Sequence, residues 1–181
     1  MVKTRRSLWC SLVMLVVLVM ADPCALFASD MAKDKFAAGE NAPDFILKNL
    51  AGTEVKLNDF KGKSVVLLNF WGLRCGACLE EMPYLDVIAK KYAGKGVVVL
   101  GVDTDGVDSQ TVVETLKEVK VNVTYQLLLD PDFKVTDVYT NFLVPLTIVI
   151  DRKGVIQYIH TGFEKGVENH YEDAVKKALA L

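Results

Sequence analysis

Cysteine, histidine and tryptophan are scarce in this chain: 4, 2 and 2 among 181 residues. Four cysteines cannot staple a domain of this length, and Cys10 and Cys24 lie in an N-terminal stretch far from Cys75 and Cys78. A zinc ribbon needs four closely spaced ligands, yet His160 and His170 stand far along the chain at no ligand-like interval from the cysteine pair. Covalent haem attachment needs a histidine directly after the second cysteine, and Leu79 occupies that place. Basic charge is also lacking. The formal net charge is −2 and no basic block occurs beyond the N-terminus, which excludes a nucleic-acid partner. Neither repeats nor low-complexity tracts are present, so the length fits one domain with an N-terminal extra.

That extra has the form of a targeting segment. Lys3, Arg5 and Arg6 precede an uncharged apolar run from Leu8 to Ala21, which Asp22-Pro23 ends. The run is shorter than the roughly 20 residues of a spanning helix. A cleaved signal over residues 1–28 is therefore expected, with an uncleaved membrane anchor as the alternative. Asp22-Pro23 is a poor lead-in for lipid attachment at Cys24. Residues 29–39, small and polar, read as a linker, and residues 40–181 as the folded domain. Export removes the chain from the reducing cytoplasm and leaves Cys75 and Cys78 as the only cysteines after cleavage. A pair closing so short a loop contributes little chain-entropy stabilisation, so reactivity explains it better than stapling.

The chain is organised around Phe70-Trp71-Gly72-Leu73-Arg74-Cys75-Gly76-Ala77-Cys78-Leu79-Glu80-Glu81-Met82-Pro83. Before it, Ser64 to Asn69 is a short β-branched apolar run bounded by Gly62, which predicts a buried strand. After it, Leu79 to Tyr92 has helical spacing. The cysteines thus fall where a strand gives way to a helix N-terminus, whose unpaired N–H groups favour a thiolate. Two intervening residues put Cys78 about one turn in, close enough to attack Cys75 and close a disulfide. Further along, strands are predicted at 96–102, 125–129, 146–150 and 155–159. Helices are predicted at 108–119, 133–139 and 169–180, and a hairpin around Ala51-Gly52. Buried strands alternating with helices and closed by a hairpin and helix indicate an α/β domain with a central mixed sheet flanked by helices.

Taken together, Leu68-Asn69-Phe70-Trp71, Cys75-Gly76-Ala77-Cys78, Glu81, Pro83 and Val144-Pro145 resemble the thioredoxin fold. More narrowly they resemble its exported TlpA/ResA-like branch, over roughly residues 40–181 and with an N-terminal β-hairpin extension at Phe45–Asp59. The resemblance implies a thiol-disulfide oxidoreductase with no cofactor beyond the Cys75/Cys78 dithiol. Cys75 would be the exposed nucleophile and Cys78 the resolving thiol. Val144-Pro145 would be a cis peptide that docks an extended substrate, and Glu81 an acid that tunes the thiols or relays a proton. Trp71 and Pro83 would support the motif. Asn69 stands where cytoplasmic thioredoxins carry a buried aspartate. Arg74 replaces the usual tryptophan and Ala77 a common proline; Arg74 beside Cys75 should favour its thiolate and border the substrate. Protein thiols and disulfides, apocytochrome c among them, are the implied substrates. A membrane thiol protein is the implied electron donor, and the periplasm or the outer face of the cytoplasmic membrane the implied location.

Two other chemistries compete. A copper-handling chaperone for oxidase assembly could use the same two thiols as soft ligands, though no histidine or methionine cluster lies near them. A peroxidase of the related peroxiredoxin type would want a threonine and proline ahead of the nucleophile, where Leu73 and Arg74 stand. No role is assigned to His160 or His170, and no metal site is expected.

Overall fold

The computed structural model describes residues 34–181. The expected signal or anchor and the start of the linker lie outside the described residues. Of the stretch read as a linker, residues 34–39 are seated on the domain. The Phe36 ring packs against Tyr139 with centroids 5.6 Å apart, and Gly39 N–H donates to Ile156 O at 2.8 Å. Ile156 N–H in turn donates to Glu40 O at 2.8 Å.

Seven strands make one sheet: β1 (Ile46–Asn49), β2 (Glu54–Lys56), β3 (Val65–Trp71), β4 (Val97–Asp103), β5 (Gln126–Leu129), β6 (Leu146–Ile150) and β7 (Ile156–Thr161). Their order is β2-β1-β5-β4-β3-β6-β7. The three central strands β5, β4 and β3 run parallel, and the β6–β7 hairpin continues the sheet antiparallel beyond β3. The N-terminal hairpin lengthens the opposite edge, where Lys48 and Asn49 of β1 pair with Leu129 and Leu128. Every residue of β3 is buried, which is why it reads as an unbroken apolar run rather than an alternating one.

Alternation along β3 divides the interior in two. Val65, Leu67 and Trp71 belong to one core, with Met82, Leu85 and Ile88 of α1 (Gly76–Lys91) and Val112 and Leu116 of α2 (Ser109–Glu118). Tyr171 and Val175 of α4 (Val167–Leu179) complete it. Val66, Leu68 and Phe70 belong to the other, with Tyr139 of α3 (Lys134–Tyr139) and Phe45, Leu47 and Val55 of the hairpin region. Each large side chain so buried stabilises the fold by about 1.5–3 kcal/mol. Asn69 shares the parity of Leu67 and Trp71, and it therefore points its amide toward α1.

Helix α1 starts one residue after Cys75, whose Sγ accepts the Cys78 N–H at 3.1 Å as its N-cap. Pro83 lies within this helix and withholds one N–H from its ladder. Lys90 and Lys91 occupy the last turn, where cations oppose the helix dipole favourably. Among the described residues no helix is long and apolar enough to cross a membrane.

Candidate active site

Three segments meet at the C-terminal ends of β3 and β4. The first is the turn 72–75 that leaves β3 and enters α1. There Cys75 and Cys78 are joined as a disulfide with Cα atoms 5.2 Å apart. Cys75 is half-buried while Cys78 has no exposed surface. Only one sulfur can be approached from solvent, so access alone distinguishes the two.

The second segment is the approach to β6. Val144-Pro145 is a cis peptide, and the Val144 carbonyl oxygen lies 3.6 Å from Cys75 Sγ. The Pro145 carbonyl is already engaged by Gly162 N–H at 2.7 Å. The polar backbone group beside the Cys75 sulfur is therefore that of Val144. A reduced Cys75 could donate to it, and an extended chain laid there could pair with it.

Beneath the cysteines lies a buried polar triad. Glu81 is one helical turn beyond Cys78, on the same face of α1, and has no exposed surface. Its carboxylate accepts from Asn69 Nδ2 at 2.8 Å and from Thr147 Oγ1 at 2.9 Å, and Asn69 Nδ2 also reaches Thr147 Oγ1 at 2.9 Å. The β3–β6 register sets Asn69 opposite Thr147, which is how two strand residues far apart in sequence converge on one helix residue. Burial pushes the Glu81 carboxyl up to about 7; the nearby Tyr171 hydroxyl, Thr147 and Asn69 pull it down only in part. The Tyr171 hydroxyl itself is buried without a completed hydrogen bond and acts through its proximity. Near neutral pH the site thus holds a carboxyl able to give or take a proton one turn from the Cys78 sulfur. Glu80, its neighbour in sequence, is exposed and pairs with Lys165 at 3.5 Å.

The third segment, Asp103-Thr104-Asp105, was not legible as part of the site. Asp105 Oδ2 accepts the Leu73 N–H at 2.5 Å and lies against Gly72, where a side chain would come within 3.3 Å of it. The turn before Cys75 is thereby tied to the end of β4. Thr104 adds a second tie, its N–H and Oγ1 donating to Trp71 O at 2.9 and 3.0 Å. Asp103 is fully buried, and its carboxyl is pushed up to about 7 by burial and by the Asp105 charge. The amides of Asp105, Val107 and Gly106 offset this in part, although neither carboxylate oxygen completes a hydrogen bond. In the sequence these aspartates look like a polar loop after a strand; only the parallel β3–β4 pairing, with Trp71 opposite Asp103, brings them to the cysteine turn.

The remaining expected residues separate. Trp71 is fully buried with its indole over Gly101, where any side chain would come within 3.2 Å of Nε1. Its place is packing beneath the motif. Arg74 is exposed and makes no ion pair among the described residues. His170 is exposed, and His160 stacks on Tyr158 at 6.3 Å away from the cysteines' contacts. Among the described residues no group of three or more His, Cys, Asp or Glu side chains is placed to hold a metal ion.

Known proteins share this arrangement. Residues 38–159 match the AhpC/TSA family. The thiol-disulfide oxidoreductase ResA of Geobacillus kaustophilus is 35% identical over 142 residues, covering 77% of this chain and 79% of that one. Among solved structures, a protein described as the thiol:disulfide interchange protein DsbE of Chlorobium tepidum superposes with a TM-score of 0.72 at 31% identity, covering 80% of this chain and 99% of the other. The exposed lipoprotein thioredoxin Etrx1 of Streptococcus pneumoniae gives 0.62 at 29% identity, over 75% and 99%. A half-buried sulfur at a helix N-terminus, its buried partner one turn on and these likenesses lead to one assignment: the chain belongs to the AhpC/TSA family and is a thiol-disulfide oxidoreductase of the ResA type.

Proposed function

We propose that the protein works outside the cytoplasm as a reductant of disulfides in other proteins, apocytochrome c before haem attachment among them. The observation that carries this reading is the asymmetry of the pair: Cys75 reachable beside the Val144 carbonyl, and Cys78 sealed one turn above a protonatable Glu81. The signal-like N-terminus supports export, as does likeness to a surface-exposed lipoprotein.

In the proposed cycle the Cys75 thiolate, favoured by the Cys78 N–H and the helix N-terminus, attacks one sulfur of the substrate disulfide. That bond breaks as the Cys75–substrate bond forms, and the departing substrate sulfur takes up a proton. Cys78 then gives its proton to the Glu81 carboxylate and attacks Cys75 Sγ. The second substrate sulfur leaves, and two electrons have passed from the dithiol to the substrate. Arg74 and the cis Val144-Pro145 segment border the entering chain. A membrane thiol protein would restore the dithiol by the reverse exchange.

The test is the reduction potential of the purified protein, equilibrated against defined dithiol/disulfide ratios. A value below about −250 mV is expected of a reductant, whereas one near about −120 to −180 mV would show an oxidant or isomerase and refute the direction proposed.

A further inference from the structure

We propose that His160 is a positioning residue for the thiol exchange: an imidazole at the edge of the sheet whose charge, acting across Thr147 and Tyr171, sets the charge of the buried Glu81. This rests on the reading above, in which Glu81 receives the proton of Cys78.

The placement comes from strand register. Asn69 of β3 stands opposite Thr147 of β6, and Thr147 stands opposite His160 of β7. Directly paired residues share a face, so the three make one row across the sheet, on the side packed against α1 and α4. The rest of that face is apolar or aromatic: Val65, Leu67 and Trp71 on β3, Val149 on β6 and Tyr158 on β7. A polar row crossing such a face costs free energy unless its groups find partners. Asn69 and Thr147 find theirs in the Glu81 carboxylate, at 2.8 and 2.9 Å. His160 extends the row to the edge strand, where it is half-buried and meets solvent.

Tyr171 of α4 bridges the same groups from above. Its ring stands 6.1 Å from that of His160 and 6.0 Å from that of Tyr158, and its hydroxyl lies near the Glu81 carboxyl. One hydroxyl side chain on the sheet and one phenol above it therefore separate the imidazole from the carboxyl. Glu81 has no exposed surface, so a charge this close acts on it with little screening. Imidazole is also the side chain whose charge changes most readily near neutral pH.

The surrounding titratable groups leave the pair to itself. Burial raises the hydroxyls of Tyr171, Tyr158 and Tyr125, which keeps them protonated through neutral pH. On α4, Glu172 is held by Lys91 and Lys176, and His170 is exposed. On α1, Glu80 pairs with Lys165. Asp34 accepts from Thr161 Oγ1 at 2.5 Å, and Thr161 points to the opposite face from His160. A cation at position 160 thus favours the Glu81 carboxylate, the form that takes the Cys78 proton, and a neutral imidazole releases that bias.

The test follows the Glu81 carboxyl carbon by NMR in the full chain, labelled at glutamate and oxidised so that neither thiol titrates. Glu81→Gln identifies the signal. His160→Gln removes the ionisable group, and His160→Lys fixes a cation. The Glu81 midpoint is expected lowest with Lys, intermediate in the wild type and highest with Gln, the two variants differing by at least about half a pH unit. The wild-type curve should also be stretched relative to both variants, since coupled groups titrate together. Equal midpoints in the two variants would overturn the assignment. So would a fall in both toward the ordinary carboxylate range, which is what loosened packing produces. In hydroxyethyl disulfide reduction recharged by dithiothreitol, the acid limb of kcat should move in the same order as the midpoints. A limb that stays fixed while the carboxyl moves would overturn the part of His160 in the exchange. The direction of electron flow is read separately, from the reduction potential: the value of an oxidant would overturn the reductase reading and leave this ordering intact.

Discussion

Glu81→Gln tests the buried carboxyl most directly. In the folded protein burial raises its pKa from an ordinary 4.5 to about 7. Each tenfold change in proton affinity corresponds to 1.36 kcal/mol, so the folded environment disfavours the carboxylate by about 3 kcal/mol. Below about pH 4.5 the group is protonated in both folded and unfolded chains, and the cost vanishes. As pH rises through 7 the folded form must ionise a buried group that ionises freely when unfolded. Stability due to the protonated acid is therefore complete at low pH and lost as pH rises through about 7. Glutamine mimics the protonated form and cannot ionise. The measurement is urea unfolding of the oxidised protein, wild type and variant, at intervals from pH 4.5 to 8; with the disulfide intact neither thiol titrates. The difference between the two proteins should move by about 3 kcal/mol in favour of the variant over that range. Asp103, also raised to about 7, contributes the same slope to both proteins and cancels. A difference that stays flat with pH would refute the assignment of the buried charge to Glu81, and with it the proton acceptor proposed for Cys78.

Three further outcomes are expected. Cys78→Ser should accumulate a mixed disulfide between Cys75 and substrate, visible on non-reducing gels, while Cys75→Ser should form none; trapping through Cys78 instead would reverse the proposed roles. Asp105→Ala leaves the Leu73 N–H without its acceptor and should cost about 1–3 kcal/mol in urea unfolding, with Asp105→Asn recovering most of it; equal loss in both would show that the charge rather than the hydrogen bond matters. Arg74→Ala should raise the Cys75 thiol pKa only slightly, because an exposed cation is screened by water and salt; an unmoved thiolate absorbance titration would remove Arg74 from thiol tuning.

Much of this protein was determined by local pattern. The β-branched run of β3, the helical spacing after Cys78 and the turn at Asp151-Arg152-Lys153-Gly154 each bury or expose residues according to a period that the chain carries by itself. Two cysteines with two residues between them at a strand-to-helix junction needed no tertiary information, because neighbours in sequence are neighbours in space. Resemblance to a known family supplied Glu81 and the cis Val144-Pro145. What surrounds them depended on register. Thr147 reaches Glu81 only because β6 pairs antiparallel with β3 at Asn69, and Asp105 reaches Leu73 only because β4 runs parallel beside β3. Neither strand's own sequence specifies that alignment. The upward push on Glu81 likewise came from the completed core: Glu80 and Glu81 are chemically identical, and only the side of α1 turned toward the sheet decides which one loses its water.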